Sequence, residues 1–235
     1  MSRVSALYIY PVKGCRGVAL ERSSLDRLGL EQDRRFALVG EDGVAVTQRD
    51  FPLLATIAPR VGDALHLDLG GLGAVCLPFA SFTAATVVDV WGKRVPALAA
   101  AGSEALDDYL GARVRVAMLD SAAPRSFADA RPVLVSSTAM LARLALPGIT
   151  IERFRPNIVL EDDVDSPRLE GDEVALEYQE PCGRCEVTTI DQFTGERRGP
   201  EPLRTLEERF AGNFGVYYRV ARPGELRRGE RLRAS

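Results

Sequence analysis

No stretch of this sequence is apolar for long enough to cross a membrane. The longest runs, such as residues 74–79 and 95–101, fall far short of the roughly 20 residues a spanning helix requires. The N-terminus, "MSRVSALYIYPVKG", carries an apolar run of only about six residues with Lys13 close behind, which does not fit a signal peptide. A cytoplasmic location is expected. Charge of one sign is also lacking: 30 Lys+Arg against 33 Asp+Glu leave a net charge of -3. No global positive field exists to drive non-specific binding of nucleic acid or anionic membrane, so neither is expected as a partner and any anion site must be local. Four cysteines, unevenly spaced over 235 residues, are too few for a disulfide scaffold. The low hydrophobicity of disordered chains is missing too, since 46% of residues are hydrophobic and 27% charged.

What is present reads mostly as strand. "RVSALYIYPVK", "VALERSSL", "RFALV", "VAVTQR", "LLATIAPRV" and "ALHLDL" are short, rich in β-formers, and separated by turns such as Glu41-Asp42-Gly43. After glycines 70, 71 and 73 come "AVCLP" and a hairpin turning at Gly92-Lys93. Helices are predicted at residues 103–110 with Ser103 as N-cap, from Ser136 or Ser137 to a stop at Pro147-Gly148, and in "EPLRTLEERF". Between and after them, "RPNIVLE", "DEVALEYQ", "CEVTTI" and "FGVYYRVAR" resume strand. Without regular βαβ alternation, the expected fold class is mainly β with attached helices, an α+β protein with β-barrel-like parts.

Cys182 and Cys185 stand three positions apart in "QEPCGRCEVTTIDQFTG". Structural zinc needs four ligands, and the rest would have to come from Cys15, Cys76 and the only histidine, His66, none in a second ligand pair. A redox dithiol gains its low thiol pKa at a helix N-terminus, whereas Val187, Thr188, Thr189 and Ile190 favour strand. Two buried small residues without chemistry, or one thiolate binding a cofactor metal, complete the possibilities. Elsewhere "YPVKGCRG" puts Lys13 on a turn whose Gly14 and Gly17 allow close backbone approach to a ligand, and "DRRF" puts Arg34 and Arg35 just before a strand. In "FRPN", Arg155 and Asn157 share parity as they enter Ile158-Val159-Leu160 and are expected on one face, with Pro156 fixing the approach.

Together "YPVKGCRGV", "DRRFALV", "TQRDFPLLA", "FADARPVLVSSTAMLARL", "RFRPNIVLE" and "CGRCEVTTIDQFTGERRGPEPLRTLEERF" resemble, in order, the landmarks of MOSC-domain proteins with their N-terminal β-barrel extension, in particular the amidoxime-reducing components. The resemblance implies an N-terminal MOSC β-barrel-like domain over residues 1–95 and a MOSC β-barrel domain over 96–235. It implies a molybdenum-molybdopterin cofactor with Cys185 as its metal ligand. Pterin and phosphate contacts are carried onto Lys13, Gly14, Arg35, Ser137, Arg155, Asn157, Thr188 and Thr189, with Cys185 and Asp191 as catalytic residues. Several relatives have Ser where Gly14 stands, so one phosphate hydrogen bond is either absent here or supplied by backbone.

The implied activity is reduction of small N-hydroxylated substrates (hydroxylamines, amidoximes, N-hydroxylated nucleobases) to amines or amidines. Some bacterial relatives continue into an iron-sulfur domain where this chain stops at Ser235. A separate electron-transfer protein of ferredoxin, flavodoxin or cytochrome type is therefore expected. The alternatives are a MOSC sulfur carrier using a Cys185 persulfide, and a zinc-stabilised binding domain.

Overall fold

Seven strands close into a barrel. In the computed structural model, which describes residues 1–163 and 166–235, they run in the order Ile158–Leu160, Val133–Ser137, Asn213–Arg222, Ala175–Gly183, Arg168–Glu170, Arg231–Ala234 and Ser2–Ile9. The last pairs back onto the first, Val4 opposite Leu160 and Leu7 opposite Ile158, so no edge remains open around the ring. Only Val133–Ser137 against Ile158–Leu160 is parallel. Inward residues such as Leu7, Val133, Ile158, Leu176, Tyr218 and Leu232 fill the interior. The first strand of the chain thus completes the barrel of its second half.

The other half is built from two small sheets. Phe36–Val39, Arg115–Leu119, Lys93–Ala99 and Ala84–Val90 form one, and Ala58–Val61, Ala64–Asp68 and Ala74–Pro78 the other. Their core is Val12, Phe36, Leu38, Leu54, Leu65, Leu67 and Phe82. The boundary expected at residues 95/96 falls inside Lys93–Ala99, which pairs along its whole length with Ala84–Val90. A third sheet, Gly224–Arg227 with Arg22–Asp26 and Gly29–Leu30, lies beside the barrel.

Gly29 sits there at φ +100°, and a Cβ would come within 2.5 Å of the Pro132 carbonyl oxygen. Gly29→Ala therefore combines left-handed strain with a backbone clash. It is expected to cost about 3 kcal/mol, read as a lowered midpoint in chemical denaturation.

All three predicted helices form, at Glu104–Leu110, Thr138–Leu144 and Leu203–Arg209. Ser137 caps the second, its hydroxyl accepting from the Met140 amide. The hairpin turns on Trp91-Gly92. Three strand expectations fail: residues 44–49 make only isolated bridges at Val44 and Ala45, and Pro52–Thr56 and Glu186–Thr189 are 3-10 turns. In the last, Thr188 Oγ1 donates to Cys185 O (2.9 Å) and Thr189 Oγ1 to Glu186 O (2.7 Å). Local side-chain bonds to backbone replace the ladder that the β-branched run suggested.

Candidate functional site

The two halves meet at an inner cleft of about 110 Å³ that opens into an outer hollow of about 370 Å³. Arg49, Asp129, Gly183, Cys185 and Tyr217 line both. Six cationic side chains, Lys13, Arg34, Arg49, Arg131, Arg155 and Arg184, face the inner cleft with one carboxylate, Asp129. Cys185 is half-buried and supplies its only thiol.

Lys13 reaches this cleft because its amide bonds to the Phe36 carbonyl, fixing the turn against the first strand of the neighbouring sheet. Gly14 follows at φ +82°, and its carbonyl accepts from Gln48 Nε2 at 2.6 Å. Burial pushes the Lys13 ammonium below the usual lysine range against the opposing pull of Asp129, to which it is hydrogen-bonded. Burial raises the Asp129 carboxyl, but Lys13 and the Trp91 N–H outweigh it and hold the pKa down at about 2.

Tyr10 lies behind two of the cleft's arginines. Its buried ring has the Arg34 guanidinium carbon 4.7 Å and that of Arg155 4.2 Å from its centroid, and its hydroxyl donates to the Pro156 carbonyl. Arg34 is neutralised by Asp33, which also accepts from the Tyr10 amide at 2.7 Å. Arg155 has no carboxylate partner among the described residues. It donates to Gln192 Oε1 at 3.1 Å, and burial pushes its pKa down to about 10, further lowered by Arg34. Gln192 and Gln48 exchange reciprocal 3.0 Å bonds, tying the two halves together behind the cleft.

Arg155 and Asn157 both line the cleft, but not through strand parity: Arg155 is left-handed at φ +54° and ends a 3-10 turn. The Asn157 amide is committed to the fold, accepting from Leu134 N and Arg34 and donating to the Tyr8 carbonyl. Four of the expected cofactor contacts lie elsewhere. Arg35 pairs with Asp26 outside the cleft; the left-handed turn at Arg34 sends that residue inward instead. Ser137 is the helix cap, and Thr188 and Thr189 bond their own turn.

Asp191 accepts from the Phe193 and Thr194 amides and pairs with Arg153 and Arg198. It organises the "DQFTG" turn and does not line the cleft. Burial raises its pKa, and the two amides with the two arginines more than reverse that, leaving it lowered.

Cys182 is fully buried in the strand Ala175–Gly183, and its sulfur accepts from Arg184 Nη1 at 2.9 Å. Arg184 Nη2 donates to the Phe154 carbonyl, and its buried Nε has no partner. Cys182 thus holds a guanidinium against the cleft wall. No group of three His, Cys, Asp or Glu that could hold a metal ion exists among the described residues. Cys15 is buried in the other core with its pKa pushed up to about 12. The donor set does not fit structural zinc. Cys185 opens a 3-10 turn, where Val187 to Ile190 had been expected to continue a strand.

This is a two-part β protein whose barrel presents one thiol to a cationic cleft. The chain belongs to the MOSC-domain family: residues 1–115 match the MOSC N-terminal beta barrel domain and residues 122–233 the MOSC domain. It is 31% identical to mitochondrial amidoxime-reducing component 1 of Xenopus laevis over 97% of this chain and 80% of that protein. Identity to mitochondrial amidoxime reducing component 2 of Bos taurus is 29%, over 97% and 81%. A molybdenum cofactor sulfurase of Drosophila grimshawi is 30% identical over 90% of this chain, which spans 31% of that longer protein.

Proposed function

We propose that the chain is a molybdenum-cofactor-dependent reductase that converts small N-hydroxylated compounds to amines or amidines. The observation that carries this reading is the pairing of the half-buried Cys185 thiol with a cleft whose cations outnumber its carboxylates six to one. Its relatives named for amidoxime reduction and for the molybdenum cofactor support it.

The residues fit a phosphorylated pterin on chemical grounds. Arg155 is a buried cation without a carboxylate, and Arg184 Nε is a buried donor without an acceptor; both gain when an anion arrives. Positive φ at Gly14 keeps the Lys13 turn open to backbone approach. Lys13, Arg34, Arg155 and Arg184 would hold phosphate and ring carbonyls, and Cys185 would supply a soft thiolate to the metal. When bound, the molybdenum centre would supply the two-electron chemistry for removing an N–OH oxygen as water, with two protons consumed. The chain's own part is to hold the anion, orient Cys185, and keep Asp129 ionised beside Lys13.

Lys93 Nζ and Arg125 Nη2, near the mouth, donate to backbone carbonyls of residues 129 and 128. They leave local positive charge suited to an acidic electron carrier of ferredoxin, flavodoxin or cytochrome type. No described helix is long and apolar enough to cross a membrane, and all four cysteines are free.

The test is composition and turnover. Protein purified from a molybdenum-competent host is expected to hold about one molybdenum and one pterin phosphate per chain, and to reduce an amidoxime with an artificial electron donor. Protein with neither metal nor pterin, but with Cys185-dependent persulfide sulfur, would establish the sulfur-carrier alternative.

A further inference from the structure

The hairpin at residues 90–93 is a two-residue turn in which Val90 pairs with Lys93 and both central residues have positive φ, Trp91 at +56° and Gly92 at +76°. Such turns select Asn-Gly or Gly-Gly, and a bulky aromatic in the left-handed region is an outlier that costs free energy locally. The turn does not account for tryptophan.

The surroundings do. Trp91 lines the outer hollow together with Cys185 and Tyr217. Its Nε1–H donates to Asp129 Oδ1 at 2.8 Å, and the Arg49 guanidinium sits 4.6 Å from its ring centroid. Held by two partners, the side chain is still 52% exposed. It is a fixed aromatic surface left open to solvent beside the only thiol of the cleft.

We propose that Trp91 is a stacking platform in the outer hollow that selects planar aromatic or heteroaromatic N-hydroxylated substrates over aliphatic ones. This rests on the reductase reading for the identity of the substrate, and on Trp91 alone for its shape. Arg49 covers one face of the indole and leaves the other for a flat ring, while Asp129 fixes the tilt. An aliphatic N-hydroxyl compound reaches Cys185 without that contact.

Trp91 is the sole tryptophan of the chain, so its emission reports the hollow directly, whatever the state of the cleft. Titration with benzamidoxime is expected to change that emission saturably, at concentrations where acetamidoxime does nothing. Equal responses, or none, overturn the platform. In turnover, the ratio of kcat/KM for benzamidoxime to that for acetamidoxime is expected to fall about tenfold in Trp91→Asn, through KM. Trp91→Phe, which keeps a ring but not the N–H, recovers most of the ratio. Asn suits the left-handed turn, so the variant relieves backbone strain and folds. An unchanged ratio in Trp91→Asn overturns the proposal. Metal- and pterin-loaded wild type that reduces neither compound overturns the reductase reading instead, and the emission titration still decides the platform.

Discussion

Cys185→Ser is expected to remove reduction of N-hydroxylated compounds by about 10³-fold or more while the chain stays folded. Serine keeps the size of the side chain but replaces a polarisable thiolate with a hard, protonated hydroxyl, which does not serve a metal already bound to soft sulfur donors. Cys185 is half-buried and caps its turn through backbone alone, so the fold loses no side-chain bond. The stability change is expected within about 0.5 kcal/mol. Turnover with an artificial donor, molybdenum content and a thermal melt read the three effects separately.

Cys182→Ser acts by a different route. It alters the acceptor for Arg184 Nη1, so cofactor content falls before turnover per bound molybdenum does. If Cys182→Ser instead abolished turnover at full molybdenum content and Cys185→Ser did not, the ligand would be the other sulfur.

Arg155→Met is expected to separate binding from stability. In the folded chain the guanidinium is enclosed beside Tyr10, Arg34 and Lys13, with only the Gln192 amide oxygen as a hydrogen-bond acceptor. Burial, and then Arg34, lower its pKa from 12.5 to about 10. A base whose folded pKa is depressed destabilises the folded state while it is charged. The cost is fully present below pH 10 and disappears only as pH rises from there past 12.5. At neutral pH, methionine fills the space without the charge, so cofactor-free protein is expected to gain about 1 kcal/mol, a rise of a few degrees in Tm. The same variant is expected to lose most of its molybdenum and pterin when produced in a molybdenum-competent host. A variant that melted lower and kept its cofactor would show Arg155 to be a structural residue.

Much of the architecture was legible because short β-rich runs divided by turn signals are a local pattern, and the first two helices were marked by N-cap serines and, for the second, the Pro147-Gly148 stop. The second helix was placed to start at Ser136 or Ser137, and the structure makes Ser137 its cap, which occupies the hydroxyl that the family resemblance assigned to cofactor. The misread run "CEVTTI" shows the limit of propensity: β-branched residues favour strand on average, but Thr188 and Thr189 found backbone acceptors three residues behind and closed a turn. Arg34 and Arg35 could not be told apart in "DRRF", because which one faces the cleft depends on a left-handed residue that no composition rule marks. Asp33, Gln48, Asp129 and Gln192 went unnoticed, since each matters only through a partner distant in sequence. The nearest signal was the density of polar residues around the quoted motifs.

By itself the sequence determined the class of fold, the lack of an apolar run long enough to span a membrane, and a charge balance without a global positive field, whereas Cys185 was singled out only by the family resemblance. The first three follow from composition and from spacing within a dozen residues, which set local conformation. Tertiary structure alone decided that the first strand closes the second half's barrel, that Arg34 rather than Arg35 enters the cleft, that Arg155 has no counterion among the described residues, and that Trp91 and Cys185 line one hollow. Each of these depends on contacts between residues about twenty to more than two hundred positions apart. Such contacts are fixed by burying apolar surface and satisfying backbone groups over the whole barrel, not by any residue's neighbours in the chain.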